Sequence, residues 1–107
     1  MKKINFFLSK YKNQLFEQLS KIDTHKLNLA ANEILKTIKK KQTIFVCGNG
    51  GSAAISNHYI CDFLKFFRQK TNLKPKIISL SDNIETITAI SNDLDYKYVF
   101  SYQAESL

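Results

Sequence analysis

A short apolar run followed at once by a glycine-rich turn is the feature that most constrains how this chain can fold. Residues 43–47 (TIFVC) are β-branched, aromatic or otherwise apolar, which predicts a strand buried on both faces of a parallel sheet. The turn at residues 48–52 (GNGGS) follows, and a helical pattern starts directly after it, with Ser52 predicted as the N-cap. Because a helix start exposes unpaired N–H groups and a partial positive charge, this turn is a candidate cradle for a phosphate or another oxyanion.

Two nucleotide-binding motifs fit this turn poorly. A P-loop needs a lysine directly before its serine or threonine, and Gly51 occupies that position. Gly48, Gly50 and Ala53 do match the G-x-G-x-x-G/A spacing of a dinucleotide site. The acidic residue expected about 20 positions later is misplaced, however, since Asp62 comes too early and Asp82 too late. A tight turn that binds no ligand is the simpler alternative, because glycine turns are common between elements.

Two amphipathic helices are predicted ahead of this strand. Apolar side chains recur at steps of three and four over residues 4–22, and the same pattern covers residues 27–38 after a cap at Asp23-Thr24. In an α/β domain such helices need a surface to cover, and one of them could cover a partner chain.

A third helix is predicted over residues 53–69. Its apolar positions predict a buried arc made of Tyr59, Ile60, Phe63, Leu64 and Phe67. His58 and Asp62 lie four residues apart, so they share one face of the helix at the border of that arc. The pair is either a solvated surface pair or part of a pocket wall.

Residues 76–80 (KIISL) predict a second buried strand. Ser81 and Asp82 follow it, and either cap the next helix, predicted over residues 83–91, or line the crevice where such sheets bind ligands. Asn92 is predicted to end that helix, and Asp93 to cap a last helix over residues 96–106.

The ordered set formed by CGNGGS at residues 47–52, His58, and Asn92-Asp93 resembles the sugar isomerase (SIS) domain family, in its phosphoheptose isomerase branch. The resemblance implies an α/β fold with three α/β/α layers and a parallel sheet, similar to flavodoxin and Rossmann folds and preceded by the two amphipathic helices. Residues 1–107 would then be a partial SIS domain, with the helical pair at 1–41 and the first part of the sheet at 42–107. The chain is expected to be truncated relative to the family.

The same resemblance implies an aldose–ketose isomerase that converts sedoheptulose 7-phosphate to D-glycero-D-manno-heptose 7-phosphate. His58 and Asp62 would bind zinc, and Asp62 would be the catalytic residue that moves a proton. Asp62 stands where the family has a glutamate, which retracts the carboxylate by one methylene, and Cys61 is a rival ligand next to it. The residues that would bind the substrate are Asn49, Gly50, Gly51, Ser52, Asn92 and Asp93.

Two other functions stay open beside this one. A non-catalytic SIS module that binds a phosphosugar or a protein partner would use the same turn, whereas nicotinamide-dependent oxidoreduction is disfavoured by the misplaced acid. The chain by itself is expected to be inactive, since the second phosphate loop and the late histidine-bearing helix of the family are not found in it.

Composition narrows the partners and the compartment. The formal net charge is +7, but the lysines are scattered along the sequence, so no nucleic acid is expected. No stretch reaches the length of a membrane span, and two cysteines without a pairing pattern suit a reducing compartment, which predicts a cytoplasmic protein without membrane contact. The resemblance implies a homo-oligomer, a dimer or tetramer built through the N-terminal helices.

Overall fold

The computed structural model describes residues 2–107. A boundary inside the second helix divides them into two compact units, residues 2–33 and Ile34–Leu107, while the predicted division at residue 41 stays a prediction. The elements follow in this order: α1 (Lys2–Ser20), α2 (Thr24–Lys39), β1 (Thr43–Val46), α3 (Gly51–Cys61), a π-helix (Asp62–Phe67), α4 (Arg68–Thr71), β2 (Lys76–Ser79), α5 (Ile84–Asp93), a 3-10 helix (Tyr96–Tyr98) and α6 (Val99–Ser106).

The first unit consists of α1 and the start of α2. Asp23 caps α2 as predicted, because its Oδ1 accepts hydrogen bonds from the backbone N–H of His25 at 3.0 Å and of Lys26 at 3.1 Å. No residue of α1 is buried, so the predicted apolar stripe of this helix, with Leu15 and Leu19, is exposed to solvent. Among residues 2–107 no helix is both long and apolar enough to cross a membrane.

The second unit is built on a parallel pair of strands. β1 and β2 run in register from Thr43 opposite Lys76, and the N–H of Leu80 extends the pairing by donating to the carbonyl of Val46 at 2.9 Å. Parallel strands need a crossover, which begins with α3, and α3 contacts both strands. The predicted α/β fold with a parallel sheet is thus confirmed. The buried apolar side chains come from α2, β2 and its end, α5 and α6, and are Ile38, Ile77, Leu80, Ile90 and Val99.

Strand β1 is less buried than its composition predicts. All four of its residues are only half-buried, whereas β2 buries Ile77 and Ser79. The reason is that β1 pairs only with β2 within residues 2–107, and an open apolar groove of about 430 Å³ runs past Ile44, Val46 and Tyr59. The prediction of a strand buried on both faces is therefore wrong for the described residues.

The third helix is longer than predicted and changes its winding. Residues 51–71 are helical throughout, and the central residues 62–67 form a π-helix with wider turns. Wider turns bring side chains four apart closer to one line, and the Phe63 ring lies 4.7 Å from that of Tyr59 and 5.2 Å from that of Phe67. Leu64 is 49% exposed and the other four members of the predicted arc are only half-buried, so the prediction of a buried arc is wrong.

The predicted caps around Asn92 and Asp93 are also wrong. Both residues lie within the last turn of α5, and Leu94 is its C-cap. Asp95 caps the following 3-10 helix instead, since its Oδ1 accepts a hydrogen bond from the N–H of Lys97 at 2.9 Å. The helix ends two residues later than its pattern indicates, which leaves Asn92 and Asp93 exposed on helical backbone.

Replacing Gly48 tests how tightly the turn after β1 is built. A Cβ at this position would lie 2.6 Å from the backbone carbonyl of Ser52, so we expect Gly48→Ala to lower the free energy of unfolding by about 1–3 kcal/mol. Gly51→Ala is the matched control, because a Cβ there meets nothing within 4 Å and it should be neutral or slightly stabilising. Urea unfolding measures both, and equal stability of the two variants would contradict the close approach.

Candidate active site

The glycine loop, defined as residues 47–52, joins the carboxyl end of β1 to the start of α3. Gly50 is the N-cap of α3 and has a φ of 54°, a conformation that favours glycine. Ser52 lies inside the first turn, where its N–H donates to the carbonyl of Asn49 at 3.0 Å, so its predicted role as N-cap is wrong. Among residues 2–107 no side chain accepts a cap hydrogen bond at the start of α3, so the positive end of this helix is not capped by a side chain.

A serine at the end of β2 holds this loop in place. The hydroxyl of Ser81 accepts a hydrogen bond from the N–H of Gly48 at 2.9 Å and donates one to its carbonyl at 2.8 Å. The N–H of Ser81 donates to the Oγ of Ser79 at 3.1 Å, and that hydroxyl donates to the side chain of Asn57 in α3 at 2.6 Å. The role of helix cap falls to Asn83, whose Oδ1 accepts from Thr86. Ser81 thus joins the end of β2 to the loop.

Tyr96, in the 3-10 helix, is a second residue that holds the glycine loop. The hydroxyl of Tyr96 donates a hydrogen bond to Oδ1 of Asn49, which brings the 3-10 helix against the loop. Tyr96 was not among the predicted site residues, and Ser81 was predicted as either a helix cap or part of the ligand crevice. For Ser81 the position at a strand end was a usable signal, whereas Tyr96 belongs to no recognisable motif and its contact spans 47 residues.

The predicted sugar-binding pair lies apart from these contacts. The side-chain amide of Asn92 donates to Oδ1 of Asp93 at 2.8 Å, and both residues are exposed. Among residues 2–107 the structure shows no hydrogen bond between this pair and the glycine loop, but Tyr96 begins the 3-10 helix only three residues later. The pair therefore lies at the end of α5, just before the 3-10 helix that contacts the loop, and its polar groups bond to each other.

His58 and Asp62 come together on the helix that starts at the loop. Nε2 of His58 lies 3.5 Å from Oδ1 of Asp62, and the two side chains are 73% and 47% exposed. They border a shallow groove of about 300 Å³ together with Ala54, Ile55 and Tyr59. An exposed pair of this kind adds little to stability, so its geometry is more informative about ligands than about folding.

The spacing of this pair suits two ligands of one zinc ion. Zinc bonds of about 2.0–2.2 Å in a tetrahedral arrangement set two ligand atoms about 3.4 Å apart, close to the 3.5 Å between His58 and Asp62. The thiol of Cys61 is exposed on the same helix. Residues 2–107 contain no group of three or more histidine, cysteine or acidic side chains placed to hold a metal. Among the described residues, His58 and Asp62 thus offer two ligand atoms at this spacing, and the binding of zinc stays a prediction.

Removing the Ser81 hydroxyl should loosen the glycine loop at one identifiable atom. In Ser81→Ala the half-buried N–H of Gly48 loses its acceptor, and we expect its hydrogen exchange to accelerate about tenfold, since a lost hydrogen bond costs about 1–1.5 kcal/mol. Ser91→Ala is the control, because that half-buried hydroxyl bonds only to Ile87 within its own helix. Equal protection of Gly48 in wild type and Ser81→Ala would show that the serine does not hold the loop.

Comparison with known proteins supports the resemblance seen in the sequence. The model of the SIS domain family matches residues 8–107. Curated relatives include the phosphoheptose isomerases of Roseiflexus sp. (38% identical, covering 72% of this chain and 39% of the relative) and Helicobacter hepaticus (38% identical, covering 78% and 42%). A probable phosphoheptose isomerase of Thermoplasma acidophilum is 40% identical over 72% of this chain and 42% of its own length. The chain spans about two fifths of the length of these relatives.

A solved structure agrees with this assignment. The phosphoheptose isomerase of Neisseria gonorrhoeae superimposes with a TM-score of 0.77 at 25% sequence identity, over 99% of this chain and 54% of that chain. The family model covers nearly all of the described residues, including the glycine loop and the segment that contains Tyr96. The chain belongs to the SIS domain family.

Proposed function

We propose that this chain contributes the substrate-binding half of a phosphosugar isomerase, which converts sedoheptulose 7-phosphate to D-glycero-D-manno-heptose 7-phosphate. The observation that carries the proposal is the glycine loop, held open at the carboxyl end of β1 by Ser81 and Tyr96. The relatives reported above are phosphoheptose isomerases, which supports this substrate class. Because the chain spans about two fifths of their length, we assign the complete reaction to an assembly with further residues.

The glycine loop would bind the phosphate group. A Cβ at Gly50 or Gly51 would meet no atom within 4 Å, so this side of the loop is open and the backbone is accessible. The uncapped N-terminus of α3 adds a partial positive charge there, which favours an oxyanion. Asn49 and Ser52 add polar side chains at the same place. Asn92 and Asp93 would bind sugar hydroxyls, since a carboxylate accepts and an amide both donates and accepts.

Asp62 would carry the proton. Aldose–ketose isomerisation transfers a proton between adjacent carbons, and a carboxylate can take it from one carbon and return it to the next. Asp62 lies on the helix that begins at the proposed phosphate site, half-exposed and beside His58. His58 and Asp62 together would hold zinc, completed by ligands from outside the described residues. A zinc ion bound there would polarise a substrate oxygen.

A non-catalytic SIS module that binds a phosphosugar or a protein is the second candidate. The exposed position of Asp62 and the supply of only two suitable ligands by residues 2–107 favour it. The shorter side chain of Asp62, in place of the glutamate expected from the family, also favours the binding module. Both candidates use the glycine loop, and they differ in whether Asp62 moves a proton.

We also propose a homo-oligomer in a reducing compartment such as the cytoplasm. The apolar stripe of α1 is unburied, and a second copy of the same helix would cover it. Cys47 and Cys61 are both free and exposed, which suits a compartment that keeps thiols reduced.

The oligomer is tested by placing charge on the stripe. Leu15→Lys combined with Leu19→Lys should convert the oligomer to monomer, because lysine at a buried contact removes apolar area and adds an unpaired charge. Asn13→Lys with Gln14→Lys adds the same charge to other positions of α1 and should leave the oligomer intact. Sedimentation velocity measures both, and a monomeric wild-type chain would contradict the proposal.

The catalytic assignment is tested by separating metal binding, substrate binding and turnover. His58→Ala should lower the zinc bound by the chain, as measured by calorimetry, because a ligand is lost. Asp62→Asn should abolish isomerisation of sedoheptulose 7-phosphate by the complete assembly and leave substrate affinity nearly unchanged, since the amide keeps the shape but cannot take the proton. Glu105→Gln is the matched control and should keep activity.

Two outcomes would decide between the candidates. Full turnover by a zinc-free Asp62→Asn variant would contradict the role of Asp62 and of the metal. Binding of sedoheptulose 7-phosphate without turnover in any assembly would identify the chain as a binding module. For the chain by itself we expect binding and no turnover.

A further inference from the structure

The charges of this chain are unevenly distributed along its sequence. Residues 34–81 contain nine lysine or arginine side chains and a single acidic one, Asp62. That carboxylate lies beside His58, in the middle of the helical segment at residues 51–71. The stretch therefore carries a strong positive charge, and the next acidic residue, Asp82, follows the carboxyl end of β2 and not the amino end of either strand.

The parallel pairing of the strands collects six of these cations at one edge. Lys39–Lys41 come directly before β1, and Lys74 and Lys76 stand at the start of β2, whose first residue pairs with Thr43. Arg68 begins α4, the short helix that leads into β2. All six side chains are exposed, and we call them the basic edge: Lys39, Lys40, Lys41, Arg68, Lys74 and Lys76. In the sequence only Lys39–Lys41 form a tight cluster, at a helix end, which is why no nucleic acid is expected from the sequence alone.

The basic edge lies at the opposite end of the strands from the glycine loop. The loop follows the carboxyl end of β1, whereas the basic edge precedes the amino ends of β1 and β2. A phosphate group bound at the loop therefore cannot neutralise these cations. Any anionic ligand of the basic edge is therefore a different one from the phosphate at the loop.

A polar groove and an exposed aromatic ring continue the basic edge. The groove has a volume of about 530 Å³, and Arg68 and Lys74 line it with the side-chain amides of Gln69 and Asn72. Phe66, on the same helical segment, is 53% exposed. The ammonium group of Lys65 lies 5.3 Å from the centre of the Phe66 ring, which is a cation–π contact. The ring as a whole stays half-exposed beside this contact.

We propose that the basic edge binds single-stranded nucleic acid. Lysine and arginine pair with successive phosphates, amide side chains hydrogen-bond to bases and sugars, and an exposed phenylalanine offers a face on which a base can stack. A concave polar groove suits a strand better than it suits a flat lipid surface, which would need a broader apolar face. The contact combines phosphate pairing with base stacking and is independent of nucleotide sequence.

The test is fluorescence anisotropy with labelled oligo(dT) and oligo(U) of about 20 nucleotides, at about 50 and 200 mM salt. We expect binding by the wild-type chain that weakens steeply with salt. Arg68→Glu with Lys74→Glu should lower the affinity at least about tenfold, because repulsion replaces two phosphate contacts. Lys10→Glu with Lys12→Glu makes the same change in net charge at exposed positions of α1. This control pair should lower the affinity far less.

A second pair of variants separates stacking from charge. Phe66→Ala should weaken binding several-fold without changing its salt dependence. Phe6→Ala, which removes a still more exposed phenylalanine on α1, should leave binding unchanged. Circular dichroism confirms that each variant is folded, and Lys74→Gln replaces the charge reversal if it is not. Equal losses for the two charge pairs, absence of binding at low salt, or tighter binding to phosphatidylserine vesicles than to either oligonucleotide would overturn the proposal.

Discussion

The parallel register of β1 and β2 decides which parts of this chain meet. With Thr43 opposite Lys76, the loops that follow the two strands lie at one edge of the sheet, and the segments that precede them lie at the other. One edge therefore receives the glycine loop with Ser81, and the other receives the lysines that flank the strand starts. An antiparallel pairing would mix these groups, so both the candidate active site and the basic edge depend on the same ladder of backbone hydrogen bonds.

At the edge of the sheet that holds the carboxyl ends of the strands, specific polar contacts fix the position of the glycine loop. Ser81 satisfies both backbone groups of Gly48, and Tyr96 holds the side chain of Asn49. A loop that must present its backbone to an anion gains from being ordered beforehand, because less conformational entropy is then lost on binding. The absence of a Cβ at Gly48 is part of the same arrangement, since it lets the loop approach Ser52 closely.

The elements and the family could be predicted from local sequence, while the contacts that complete the site could not. Local patterns located the α-helices and both strands to within a few residues, because apolar spacing reflects the repeat of the backbone. The same spacing did not predict burial, since the stripe of α1 is exposed and β1 is only half-buried. The π-helix beginning at Asp62 and the exposure of Leu64 depend on how the helix packs, which periodicity does not record. Ser81 and Tyr96 contact residues 33 and 47 positions away, and pairings at such a distance follow from the fold alone. The pairing of His58 with Asp62 was predictable because it is local to one helix.

The most direct test of the account is a titration of the isotope-labelled chain with sedoheptulose 7-phosphate, followed by amide NMR shifts. If the glycine loop is the phosphate cradle, saturable shifts should concentrate at Gly50, Gly51 and Ser52, with smaller ones near Tyr96 through its bond to Asn49. Inorganic phosphate should shift the loop amides alone. Shifts that are absent from the loop, or that concentrate at the lysines before β1 and β2, would contradict the assignment of this edge as the sugar phosphate site.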